Sequence, residues 1–106
     1  MATITFTSAG GIEATSFKAT SSEKFKKDIA PTQVSALDMI DSTEIVDFKF
    51  INDEQQIPHI GFIAEHTDAL LSTPELDGMD YTNCIGVLMK AVQELSEKVK
   101  KLEEKK

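Results

Sequence analysis

Residues 81 to 106 read YTNCIGVLMKAVQELSEKVKKLEEKK, and the spacing of their apolar residues decides the fold. Ile85, Leu88, Val92, Leu95, Val99 and Leu102 step by 3, 4, 3, 4 and 3. That is a heptad repeat, with Ile85, Val92 and Val99 at a and the leucines at d. Thr82 is the expected N-cap. Glu94 with Lys98, and Glu97 with Lys101, have the four-residue spacing that supports a helix face. From Leu95 onward everything outside the a/d seam is polar. Such a helix buries its stripe only against another helix. No second segment of the chain is long enough to partner it, so the pattern predicts a parallel, self-associating coiled coil over 82–106. β-branched residues at a with leucine at d lean toward two strands.

The composition bounds what surrounds this helix. A chain of 106 residues, 41% hydrophobic, suits one domain with a small core. A formal net charge of −7 argues against non-specific binding to nucleic acid or to a membrane surface. No apolar run approaches the roughly 18 residues of a membrane span. No charged segment followed by an apolar run opens the chain, so no secretory signal is expected. The single Cys84 rules out an intrachain disulfide framework and reads as a small buried hydrophobe. His59 and His66 match no zinc-ligand spacing. No metal and no cofactor are expected.

Upstream of the helix the patterning is α+β. Val46, Phe48 and Phe50 alternate with Asp47 and Lys49, which predicts a half-buried strand over 44–51. Asn52 to Gln56 is a polar turn, and residues 57–63 return as a second strand, with Pro58 marking an edge. Val34, Leu37 and Ile40 place a short helix over 32–40, started by Pro31. A further short helix is expected over Ala64 to Leu71. In the leader, Thr3, Ile4, Thr5, Phe6 and Thr7 are β-formers, Gly10-Gly11 is a turn, and Ile12 to Lys18 suits a second strand. The leader cannot form a core alone. It is either a disordered tail or the end of a β-rich region lying upstream, and its Thr/Ile/Phe alternation favours the second.

Between leader and patterned domain lies Ser21-Ser22-Glu23-Lys24-Phe25-Lys26-Lys27-Asp28-Ile29. Serine and lysine together perform peptide-bond chemistry when the lysine is neutral. A free lysine titrates near 10.4, so burial or nearby positive charge must favour its neutral form. Lys24, Lys26 and Lys27 crowd three such charges together. The spacing by itself favours a solvated serine-lysine loop, because serine and lysine five apart are common in any sequence. Ser21 with Lys26 and Ser22 with Lys27 share the same separation of five.

The ordered set of these features resembles the endosialidase-type intramolecular chaperone, or auto-processing, domain. The resemblance rests on the Ser21–Ile29 opening, the Leu37-x-x-Ile40 helix end, Phe48-Lys49-Phe50, His59-Ile60-Gly61-Phe62-Ile63-Ala64-Glu65, and Met89-Lys90-Ala91-Val92-Gln93-Glu94-Leu95 running into the heptads. It covers about residues 21 to 102. Ser22 stands where the family usually has aspartate, and Ile29 falls in its family place when Ser21 and Lys26 are the pair.

The resemblance implies a domain at the C-terminus of phage tail spikes, tail fibres and neck appendages, made in the bacterial cytoplasm. The expected architecture is short helices and a β-hairpin packed beside the long helix, assembled as a parallel homotrimer. Residues 1–20 are then the end of an upstream β-rich stalk of the same polypeptide, and residues 21–106 the chaperone. The chaperone folds the trimeric stalk and then cuts itself off between Thr20 and Ser21. Ser21 is the implied nucleophile and Lys26 the base of a single-turnover serine peptidase. The competing expectation is a trimerisation module of the same fold that never cleaves and stays attached as a cap.

Overall fold

The computed structural model describes residues 4–6 and 10–105. The order of elements is β1 (Thr5–Phe6), β2 (Ile12–Glu13), a 3-10 turn (Glu23–Phe25), α1 (Ala36–Asp41), β3 (Val46–Phe48), β4 (His59–Gly61), a 3-10 turn (Ala64–His66) and α2 (Tyr81–Glu104). The class is α+β, with two small antiparallel hairpins and one long C-terminal helix.

α2 runs 24 residues, about 36 Å at the usual rise. It begins one residue before the expected Thr82, because Asp80 is the N-cap. The Asp80 carboxylate accepts from the Asn83 backbone N–H at 2.9 Å and from the Thr82 hydroxyl at 2.9 Å. A carboxylate at this position also meets the positive end of the helix dipole, which a threonine hydroxyl does not exploit.

The helix uses two faces. Val87 and Ala91 are buried against α1, where Ala36 has no exposed surface at all. Leu37, Met39, Ile40, Phe62 and Cys84 pack around them, and Leu71 completes the core. An adjoining face carries the heptad seam. Ile85, Leu88, Val92, Leu95, Val99 and Leu102 are 49% to 64% exposed. Nothing among the described residues covers them.

α1 is shorter and later than its apolar spacing suggests. Pro31 does not start it: residues 31–35 are irregular, and Ser35 occupies the N-cap position without capping, its hydroxyl bonded instead to Asp38. The free backbone donors are met from α2. Glu94 Oε2 accepts from Ala36 N–H at 2.8 Å and Leu37 N–H at 3.2 Å. Glu94 therefore spends its carboxylate on α1, where the helical spacing pointed to Lys98.

β3 and β4 pair antiparallel with Val46 opposite Gly61 and Phe48 opposite His59. Both strands are shorter than expected, and Pro58 lies just outside. Gly61 lets β4 lie close to the Phe48 ring: a Cβ would sit 3.3 Å from it, so the ring would have to give by a few tenths of an ångström. The hairpin does not lie beside α2. It joins the core through Phe62, the residue after β4. The expected helix over 64–71 is one 3-10 turn, Ala64–His66, followed by loop. A bridge between Ser72 and Met79 then carries the chain to α2.

In the leader, β1 and β2 form a hairpin whose turn uses Gly10 at φ +86, a region open to glycine. β2 ends at Glu13, far short of Lys18. Thr3 and Thr7, assigned to the first strand by composition, and Lys106, assigned to the heptad helix, lie outside the described residues. The radius of gyration is 17.8 Å, against about 13 Å for a compact chain of this length. The length of α2 and the detached leader account for the excess.

Two outcomes follow from these caps. Glu94→Ala leaves the buried Ala36 N–H without a partner, so a loss of about 1–3 kcal/mol is expected in urea unfolding at fixed protein concentration. Asp80 is held below the ordinary carboxylate range, first by the Asn83 backbone N–H and then by the Thr82 hydroxyl. Its ionised form is the one the fold favours. The stabilisation is therefore complete above the unfolded value near 3.9 and disappears as pH falls through the lower folded value. Asp80→Asn, which keeps an N-cap acceptor but does not titrate, should lack that acid-dependent loss when unfolding midpoints are compared across pH.

Candidate active site

Ser21 to Lys26 would span about 17 Å if fully extended. The chain folds back instead. Glu23–Phe25 form one 3-10 turn, closed by Phe25 N–H to Ser22 C=O at 3.1 Å and Lys26 N–H to Glu23 C=O at 3.0 Å. Lys26 leaves the turn in extended backbone, and its Nζ donates to Ser21 Oγ at 2.8 Å. A serine hydroxyl and a lysine amine are thus in direct hydrogen-bond contact, the geometry in which a neutral amine could take the serine proton.

The neighbouring residues are occupied otherwise. The Ser22 hydroxyl accepts from the Lys24 backbone N–H at 3.4 Å. The Lys24 ammonium sits 5.4 Å from the Phe25 ring centroid, a cation–π position. Asp28 takes φ +56, a left-handed conformation that aspartate tolerates better than most residues. It turns the chain from the lysine cluster toward α1.

The pair lies in water. Every residue from Thr15 to Gln33 is exposed, Thr20 included. Among the described residues nothing buries the Lys26 amine.

The other candidates are structural. The His59 ring stacks on Phe48 with centroids 5.5 Å apart and meets Phe50 edge-on at 5.0 Å. His66 ends a 3-10 turn. Cys84 is half-buried, its thiol 3.5 Å from the Leu71 carbonyl oxygen. Burial, and then the charge of Asp80, push that thiol upward, away from the reactive thiolate. Among the described residues no cluster of ligating side chains could hold a metal ion, and no helix is long and apolar enough to cross a membrane.

A family model described as the chaperone of endosialidase matches residues 21–76, more than half of the chain. The chain belongs to the chaperone-of-endosialidase family. The description makes this a family of chaperones, and its designation is that of a peptidase. The match opens at Ser21, the first residue of the Ser–Lys stretch, and closes at Leu76, before α2. It is narrower than the 21–102 covered by the sequence resemblance, and the heptad helix lies outside it. No curated protein and no solved structure matched the chain.

Two capping roles are not legible in the sequence, one in this turn and one at the start of α1. Ser22 was weighed only as an alternative nucleophile, although a serine one residue before Glu-Lys-Phe also has the signature of a cap. Glu94 was read as an ion-pair partner, and no local signal reveals a bond made across 58 positions.

Just beyond this turn the left-handed Asp28 yields a clean test. Asp28→Gly or Asp28→Asn should leave stability and the Ser21–Lys26 contact nearly unchanged, whereas Asp28→Val should cost about 1–2 kcal/mol in thermal unfolding.

Proposed function

We propose that the domain is a C-terminal intramolecular chaperone of a phage tail spike or fibre, which assembles three copies and then releases itself by autoproteolysis between Thr20 and Ser21. The observation that carries this reading is the 2.8 Å contact of Lys26 Nζ with Ser21 Oγ at the opening residue of the family match.

The chemistry needs few parts. Ser21 Oγ adds to the Thr20 carbonyl carbon and gives its proton to a neutral Lys26 amine. The Thr20–Ser21 C–N bond breaks as the nitrogen takes that proton back, leaving Thr20 as an ester on Ser21 Oγ. Water then adds to the ester, and Oγ leaves with a proton. One water is consumed, and the products are a Thr20 carboxylate and a new N-terminus at Ser21.

The exposed heptad face supports assembly. Ile85, Leu88 and Val92 with Met89 and Gln93 line a shallow apolar concavity on α2. The a/d composition leans toward two strands, and three is the number that the family resemblance implies. The homotrimer places three such faces on one axis. Burial favours the neutral form of an amine, so assembly that covers the Ser21–Lys26 pair would arm it, and cleavage would report completed folding. The upstream stalk is the folding client, and after cleavage it stays in the virion tail while the chaperone departs.

A second reading, a trimerisation module that remains attached, draws on the solvent exposure of the pair in the single chain. The two readings separate on a denaturing gel with mass measurement. The first expects a fragment beginning at Ser21, lost by at least about a hundredfold in rate in Ser21→Ala and in Lys26→Ala. Uncut chain in assembled oligomers of the unmutated protein refutes it.

Assembly is tested separately. Val92→Asp places a charge in the seam, and a shift from trimer to monomer in sedimentation equilibrium is expected, with cleavage lost alongside. A dimeric unmutated protein would refute the three-stranded arrangement.

A further inference from the structure

We infer that Ser22 is a positioning residue, whose hydroxyl holds the turn that brings Lys26 onto Ser21. This rests on the reading of Ser21 and Lys26 as the cleaving pair.

The geometry leaves the contact dependent on one turn. Lys26 reaches back across five positions only because Glu23–Phe25 are helical. That turn is short, and all three of its residues are exposed, so no packing holds it. A single helical turn is costly to nucleate, because several dihedral angles are fixed for very few hydrogen bonds. Its two backbone closures end on the carbonyls of Ser22 and Glu23. The third bond is the one from Lys24 N–H to the Ser22 hydroxyl, at 3.4 Å. Ser22 has the extended backbone of an N-cap, φ −67 and ψ 142. Serine and aspartate are about equally good N-caps, and alanine is a poor one.

This role differs in kind from that of a nucleophile. As a cap, Ser22 contributes an acceptor and never forms a bond to carbon. Aspartate can replace it as a cap but cannot carry an acyl group in its place at the same bond.

The test compares Ser22→Ala and Ser22→Asp in the full chain. In cleavage time courses, Ser22→Ala should be about fivefold slower, the factor expected from loss of one N-cap. The cut should stay after Thr20, and the midpoint of the pH–rate profile should not move. Ser22→Asp should recover the rate to within about twofold. Nuclear Overhauser contacts supply a readout independent of cleavage: those of the 23–25 turn, and those between the Lys26 ε-protons and the Ser21 β-protons, should weaken in Ser22→Ala and return in Ser22→Asp. An unmutated chain that shows these contacts but never cleaves overturns the proposed function and leaves the cap intact. Cleavage and contacts in Ser22→Ala equal to those of the unmutated chain overturn the inference. So does a cut between Ser21 and Ser22 that neither variant retains, which makes Ser22 the nucleophile.

Discussion

Ala36 meets Val87 and Ala91 with no surface left to solvent, and the Glu94 carboxylate holds the first two backbone donors of α1 in that position. This one junction organises the molecule. α1 has six residues, far too few to be stable alone, and its own N-cap serine is engaged elsewhere. Small residues at the contact allow the two helices to approach closely, and the carboxylate supplies a cap from across the interface. With α1 docked, Leu71 and Phe62 close over the same spot, and the β3–β4 hairpin is anchored through the latter.

Docking on one face commits the other. Once Val87, Ala91 and Glu94 face α1, the heptad residues face outward. Beyond Glu94 the helix continues through Glu104 with no buried residue. The core that remains is small. Ala36, Leu71, Val87 and Ala91 are its buried apolar residues among those described, and no large side chain is fully buried. A core of that size sits at the margin of independent stability. In the proposed assembly, other copies covering the heptad seam would add apolar burial that the described residues of one chain do not provide, which would tie folding to assembly.

The Ser21–Lys26 contact is of a different kind. It is made by six consecutive residues and one turn, with no help from the core. Such local geometry brings two groups together but cannot desolvate them, because desolvation needs a second surface. Proximity and activation are therefore separable in this protein. The first is built into the turn, and under the proposed function the second would come from whatever covers it.

The sequence by itself determined what depends on near neighbours. The heptad period set the long helix and its seam. The alternation around Phe48 set β3, and Gly10 set the leader turn. The family resemblance of Ser21 to Ile29, rather than a spacing that Ser22 and Lys27 share, set the candidate pair. Where the reading overran, a longer-range interaction was deciding. β-rich composition over 12–18 and apolar spacing over 64–71 did not become long elements, because tertiary context rather than composition decides how far an element extends. Only the tertiary structure decided that α1 starts at Ala36 and that Glu94 caps it. It also decided that α2 spends one face within the chain and leaves the other open. Those outcomes depend on which distant surfaces meet, and the energy of a contact across 58 positions leaves no periodic trace in the residues that make it.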